Sequence, residues 1–131
     1  MFLNKLDREE KSTFLKLAHY IARVDGDFSI NEQNVIKTYC LEMQIEDVIY
    51  NEKDINLDVL LSNFKSLENQ KIVLLEIMAL VHSDGLNEKE KKVLDTIIAK
   101  YHISQELASL YSEWTKNIVS VVKQGQILIK L

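Results

Sequence analysis

VDGDFSINEQNVI, residues 24–36, and SDGLNEKEKKVL, residues 83–94, follow the same order of residue types. Each stretch gives Asp-Gly, a hydrophobic residue, a helix-capping residue and, three positions after the cap, a glutamate. The aspartates Asp25 and Asp84 are 59 positions apart, and the first copy contains one extra residue. The match indicates an internal repeat in this chain of 131 residues.

Each copy is predicted to form a tight turn between two helices. Gly26 and Gly85 suit the left-handed backbone position that ends a helix, where a side chain costs energy. The residues after each glycine then predict the start of the next helix by their capping-box spacing, in which two side chains satisfy free backbone N–H groups. These capping pairs are Ser29 with Glu32 and Asn87 with Glu90.

Hydrophobic residues recur at spacings of three and four along most of the chain, which is typical of amphipathic helices. Asp7 and Ser104 are predicted N-caps, and a short helix is expected at residues 46–50. Residues 68–82 are apolar on nearly all sides and are predicted to form the central core helix. Trp114 is predicted to be a core residue. The apolar stripes fall within residues 14–22, 35–43, 57–67, 72–81, 93–101 and 107–121.

Composition restricts the fold and function classes. Because the chain has three glycines and no proline, it lacks the turn residues of an all-β fold. We expect an all-α fold, a compact bundle of about six to seven helices with a pseudo-two-fold internal repeat. A net charge of -4 offers no basic field for nucleic acid. The single cysteine, Cys40, lies on an apolar stripe and is expected to be a buried structural thiol.

The sequence predicts one domain and an apolar tail. Residues 1–123 are expected to form the helical domain, and the tail is QGQILIKL, residues 124–131. Gly125 suits a helix stop, so the tail is expected to be coil that folds back on the bundle or supplies a homodimer or partner contact. Neither a secretory leader nor a membrane span is expected, and the predicted location is the cytoplasm.

Helix capping does not explain Asp25 and Asp84. A carboxylate at the C-terminal end of a helix faces the negative end of the dipole, which costs about 0.3 to 1 kcal/mol unless something offsets it. One interpretation is that each aspartate accepts hydrogen bonds from the N-terminus of the following helix. The other is an acidic site for a divalent cation or a basic partner, since hard cations prefer clustered oxygen ligands. Its candidate residues are Asp25, Asp27, Glu32, Asp84 and Glu90.

Spacing argues against the familiar metal sites. If Asp25 began an EF-hand loop, Ile30 would replace the required glycine and Ile36 the bidentate glutamate. The three histidines lack the spacing of a di-iron or zinc-protease site, and only His82 lies near a turn. Any cation site must therefore be assembled across the two turns.

The chain resembles the TerB-like domains, a family named after a protein of bacterial tellurite-resistance operons. The resemblance rests on ARVDGDFSINE, residues 22–32, on LVHSDGLNEKE, residues 80–90, and on the distance between them; it covers about residues 6–111. It implies an all-helical fold with a pseudo-two-fold relation between two helix groups. It also implies a bacterial stress-response setting, linked in some members to membrane-associated assemblies, and no catalytic activity. The family's acidic motif falls on Asp25, Gly26, Glu32, Asp84, Gly85 and Glu90.

We therefore expect a non-enzymatic interaction module of bacterial stress response, whose two acidic turns bind a divalent cation or a basic partner surface. The expected partner is another protein rather than nucleic acid, and no other cofactor is expected. One alternative is a purely structural helical subunit. Another is a metal-dependent enzyme that uses the acidic turns, although no base or nucleophile is positioned by a motif.

Overall fold

A computed structural model describes all 131 residues and contains helices but no strand. Two single-turn 3-10 helices, at Leu3–Lys5 and Glu52–Asp54, precede the first and third α-helices. The predicted all-α helical bundle is confirmed. Its six α-helices are α1 (Arg8–Arg23), α2 (Ile30–Met43), α3 (Leu57–Ser62), α4 (Leu67–His82), α5 (Glu88–Lys100) and α6 (Gln105–Leu128).

The helices begin at side-chain caps that the sequence predicts. The Asp7 carboxylate accepts a hydrogen bond from the Glu10 N–H at 2.8 Å, and Glu10 accepts one from the Asp7 N–H at 3.0 Å. This capping box starts α1. Ser104 starts α6 in the same way, since its hydroxyl accepts from the Leu107 N–H at 3.1 Å. Local chemistry therefore sets these helix starts.

Helix α4 lies at the centre of the core, as its apolar composition predicts, and it contacts α1, α2, α5 and α6. Its side chains Leu74, Ile77 and Leu80 are completely buried. Each such burial contributes about 1.5 to 3 kcal/mol to folding. α4 thereby packs the pair α1–α2 against the pair that it forms with α5. This packing sets the positions of the two Asp-Gly turns.

The first residues of the chain tie α2 to α4. Glu76 is only 1% exposed, and its carboxylate accepts from the Phe2 N–H at 2.8 Å and pairs with the Met1 ammonium group at 2.9 Å. Glu42 on α2 accepts from the Leu3 N–H at 2.9 Å. The buried charge of Glu76 is thus paired, as a carboxylate in a protein interior must be.

Between α2 and α4 the structure differs from the prediction. No helix forms at residues 46–50; the helical turn lies later, at Glu52–Asp54, where the Asn51 side chain accepts from the Lys53 N–H at 3.2 Å. The apolar stripe of residues 57–67 belongs to two helices, because α3 ends after six residues and Ser66 caps α4. Periodicity alone did not detect this break.

The end of the chain also differs from the prediction. Gly125 does not stop a helix, since α6 continues to Leu128 and the Ile129 N–H bonds to the Gly125 carbonyl at 3.1 Å. The predicted coil of residues 124–131 is therefore mostly helical, and it is exposed rather than folded back. Trp114 is 40% exposed instead of buried, because α6 packs against the bundle along one face only. None of the helices is both long enough and apolar enough to cross a lipid bilayer.

Candidate functional site: the paired acidic turns

The two Asp-Gly turns follow α1 and α4 with the predicted backbone geometry. Gly26 follows α1 with φ +84°, and Gly85 follows α4 with φ +87°. Both values lie in the left-handed region that glycine adopts without a side-chain penalty. A Cβ atom at either position would meet nothing within 4 Å, so backbone conformation rather than crowding requires the glycine.

Capping boxes then start α2 and α5, as predicted. The Glu32 N–H donates to the Ser29 hydroxyl at 3.1 Å, and the Ser29 N–H donates to the Glu32 carboxylate at 3.1 Å. In the second turn the Glu90 N–H donates to the Asn87 side chain at 2.9 Å, and the Asn87 N–H donates to Glu90 at 3.3 Å. These bonds fix the positions of both glutamates.

The structure brings the two turns together through two cross-turn amide contacts. The Asn87 Nδ2 donates to the Asp25 Oδ2 at 2.7 Å, which joins residues 62 positions apart. The Asn31 Nδ2 donates to the Asp84 Oδ1 at 3.2 Å in the opposite sense. The aspartates of both turns therefore lie on one face of the bundle.

These contacts also show what offsets the helix dipole at Asp25. Its Oδ1 accepts from the Asp27 N–H at 2.9 Å, and its Oδ2 accepts from the Asn87 amide of the other turn. The aspartate does accept hydrogen bonds, as predicted. The predicted donors, the N-terminal N–H groups of the next helix, are wrong. Asp27 itself contributes only its backbone N–H, and its side chain is exposed.

Glu32 and Glu90 form a buried carboxyl pair beneath the turns. Each is 3% exposed, and their carboxyl groups hydrogen-bond to each other. Burial raises the pKa of Glu90 to about 7, with further contributions from the charges of Glu32 and Asp25. Burial and the charge of Asp84 also raise the pKa of Glu32. The pair therefore shares a proton near neutral pH, and the two groups titrate as one coupled unit.

No ion pair within the chain neutralises the acidic turns, and the one ammonium bonded to a turn, Lys123 Nζ, donates to the Ser83 carbonyl at 3.0 Å. The ion pairs of the structure join other residues, such as Lys5 with Glu68 and Lys100 with Asp58. No lysine or arginine forms an ion pair with any of the five acidic residues proposed from the sequence. Asp84 is exposed and Asp25 half-buried, so the charge of the turns reaches the surface.

Metal-ligating geometry is absent from this arrangement. No group of three or more His, Cys, Asp or Glu side chains is placed so that it could hold a metal ion. His82, the histidine nearest a turn, has its Nε2 3.1 Å from the Ser112 hydroxyl on α6. Burial lowers the pKa of His82, and the nearby Lys116 adds to this effect. The imidazole therefore faces α6 rather than the carboxylates.

A second polar cluster, which the sequence reasoning missed, lies beside the first turn. The His19 Nε2 is 2.9 and 3.0 Å from the two Asp47 carboxylate oxygens, and its Nδ1 is 3.3 Å from the Arg23 guanidinium. The same guanidinium lies 4.2 Å over the Phe28 ring, and Tyr50 stacks on the imidazole at 5.5 Å. The cluster fastens the segment after α2 to α1. A histidine beside the apolar stripe of α1 was the available signal, but its partner is 28 positions away.

Cys40, predicted to be a buried thiol, is only half-buried. Burial raises the pKa of its thiol, and the charge of Asp47 adds to the rise, so the reactive thiolate is disfavoured.

Comparison of the chain with protein-family models, with curated proteins and with solved structures finds no match. The geometry of the turns therefore carries the functional argument.

Proposed function

We propose that the chain is a non-enzymatic, TerB-like interaction module that acts in a stress response in the bacterial cytoplasm. Its paired acidic turns bind a basic surface of another protein. One observation carries the proposal: the carboxylates of both turns converge on one face, and no basic side chain of the chain pairs with them. Such a face attracts a cationic partner at long range and selects against acidic ones.

The buried carboxyl pair makes binding at this face depend on pH. The raised pKa values of Glu32 and Glu90 mean that burial and neighbouring carboxylates disfavour their ionisation. A positive charge placed beside the turns favours the ionised form and so lowers both pKa values. Binding of a basic partner would therefore release part of the shared proton near neutral pH.

The resemblance to TerB-like domains supports the same interpretation. The segments α1–turn–α2 and α4–turn–α5 have the same glycine conformation and the same capping boxes. We propose that they are the two halves of a pseudo-two-fold repeat, with the acidic turns at its axis. A binding role also fits the absence of any positioned base or nucleophile motif in the sequence.

A divalent cation is the second candidate ligand, because a cation can displace the proton that two carboxyl groups share, and that proton then passes to solvent. Glu32 and Glu90 would hold the ion, with Asp25 and Asp84 contributing charge. Since no three ligands are in place, cation binding requires these side chains to move.

Titration calorimetry with a lysine-rich peptide tests the proposal. The variant Asp25→Asn with Asp84→Asn keeps the side-chain size and is expected to weaken binding about tenfold at low salt, since each exposed charge contributes on the order of 1 kcal/mol or less. The matched variant Asp54→Asn with Asp95→Asn removes two exposed aspartates elsewhere and should leave binding nearly unchanged. Equal weakening by both variants would contradict the proposed site.

Thermal stability with calcium, magnesium, manganese and zinc separates the two ligands. A ligand that binds only the folded chain raises its unfolding temperature. A rise with one ion that disappears in the Asp25→Asn/Asp84→Asn variant would support the cation. No rise with any ion, together with peptide binding, would support the basic partner.

A further inference from the structure

The second half of α6 differs in charge from the rest of the chain. Residues 114–131 contain three lysines and no acidic residue, whereas the first 113 residues hold all 20 acidic residues against 13 basic ones. The chain is therefore an acidic body with a basic C-terminal helix. This segment contacts the second turn at one point, where the Lys123 Nζ donates to the Ser83 carbonyl at 3.0 Å.

Two rows of side chains run along this half of α6, and each repeats every seven residues. Lys116, Lys123 and Lys130 form one row. Because seven residues complete nearly two helical turns, the members of a row lie within about 40° of one another around the helix. The second row, on the opposite side of the helix, consists of Trp114, Val121 and Leu128.

The bundle leaves most of the apolar row exposed, and its one aromatic contact joins the Trp114 ring to the Phe2 ring at 6.3 Å. Trp114 is 40% exposed, Val121 60% and Leu128 66%. Val122 and Ile129, which lie between the two rows, are also exposed, as is Ile127 on the lysine side. A row of exposed apolar side chains of this length marks an interaction surface rather than the scattered exposure of an ordinary protein surface.

We propose that residues 114–131 bind the surface of an anionic phospholipid bilayer, lying in its interfacial region. An exposed apolar row opposite a lysine row is the arrangement of interfacial helices, in which apolar side chains enter the lipid boundary and lysines attract anionic headgroups. Trp114 heads the apolar row, and tryptophan is enriched at the membrane–water boundary.

Charge favours a bilayer over pairing of this segment with the same segment of a second copy. If the segment paired with itself, the three lysines of each copy would find no carboxylate in the other segment. An anionic bilayer supplies counter-charges along the whole segment. The helix is not apolar enough to cross the bilayer, so it lies on the surface.

The chain contains a probe for this test, because Trp114 is its only tryptophan. The full chain is mixed with vesicles of phosphatidylcholine alone or with added phosphatidylglycerol, and tryptophan emission and co-sedimentation are measured. We expect a blue shift and co-sedimentation with the anionic vesicles, both weakening as salt rises. Absence of binding to anionic vesicles at low salt would overturn the proposal.

Charge variants show whether the lysine row is responsible. Lys116→Gln with Lys130→Gln should weaken vesicle binding roughly thirtyfold, since each lysine near an anionic surface contributes about a factor of five. Lys89→Gln with Lys92→Gln makes the same change of net charge on exposed positions of α5 and should have little effect. Equal weakening by the two variants would overturn the assignment to α6.

An apolar variant separates lipid from a second copy. Val121→Asp with Leu128→Asp changes exposed positions, so folding, checked by circular dichroism, should be retained while vesicle binding is lost. Retained vesicle binding in this variant would overturn the proposal. So would a concentration-dependent blue shift of Trp114 without vesicles, because a second copy would then cover the row.

Discussion

Replacing Glu90 by glutamine tests the shared proton beneath the acidic turns. The glutamine oxygen can still accept the Asn87 N–H that Glu90 accepts at 3.3 Å, so the capping box is retained. Its amide can donate permanently to Glu32, as protonated Glu90 does. The substitution therefore removes the titration and preserves the geometry.

The pH dependence follows from the direction of the shift. The pKa of Glu90 is raised from 4.5 to about 7, so the folded state binds the proton more tightly than the unfolded state. The resulting stability is fully present below pH 4.5 and is lost as the pH rises through 7. At about 1.4 kcal/mol per pKa unit the whole shift corresponds to roughly 3 kcal/mol. Since water reaches the turns and screens the charges, we expect about 1 to 2 kcal/mol.

Denaturant unfolding of the wild type and of Glu90→Gln between pH 5 and pH 8.5 measures this effect. We expect the free energy of unfolding of the variant to exceed that of the wild type by about 1 to 2 kcal/mol at pH 8.5, which is a few degrees in unfolding temperature. Near pH 5 the two proteins should differ by less than about 0.5 kcal/mol, because Glu90 is then protonated.

Glu10→Gln is the matched control. Glu10 occupies the same capping position in α1, but its carboxylate accepts from the Asn69 amide at 3.0 Å instead of facing another carboxyl group. The free energy of unfolding of Glu10→Gln should be lower than that of the wild type at every pH between 5 and 8.5. If the curves of Glu90→Gln and of the wild type run parallel from pH 5 to pH 8.5, the coupling of Glu90 to its neighbours is refuted.

Three further predictions concern the scaffold. Gly85→Ala should lower the free energy of unfolding by about 1 kcal/mol because the backbone at Gly85 is left-handed. Gly125→Ala, inside α6, should raise it by about 0.5 kcal/mol. Calorimetry of the two variants compares the same substitution in two backbone conformations. Ile77→Ala should cost about 3 kcal/mol in denaturant unfolding and Ile49→Ala, at a 98% exposed position, less than about 0.5 kcal/mol. Asp47→Ala, which removes the carboxylate bonded to the His19 Nε2, should cost about 1 kcal/mol and speed hydrogen exchange in the segment after α2. Equal effects of Gly85→Ala and Gly125→Ala, or of Ile77→Ala and Ile49→Ala, would contradict the structure. So would unchanged hydrogen exchange in Asp47→Ala.

The sequence predicted the parts of the fold that depend on near neighbours. The glycine conformations, the N-cap of α1, the capping boxes of α2 and α5, and the central position of α4 all follow from patterns within one helical turn or one helix. These features are local, so tertiary packing had little opportunity to override them.

The sequence could not predict which side chains meet between distant segments. Asn31 gave no signal as a donor to Asp84, because that contact depends on how α4 packs the two turns together. Trp114 occupies a helical stripe, and periodicity does not reveal whether a stripe has a partner to cover it. Gly125 is a similar case, because its neighbours in sequence do not show whether the glycine lies inside a helix or ends one.

The pKa of Glu90, measured by carbon-13 NMR titration with and without a saturating lysine-rich peptide, tests the central claim most directly. Without the peptide we predict a pKa of about 7, raised by burial and by the converging carboxylates. With the peptide bound at the turns, its positive charge should lower that pKa. A pKa of Glu90 that does not change when the peptide binds would contradict a partner site at the paired acidic turns.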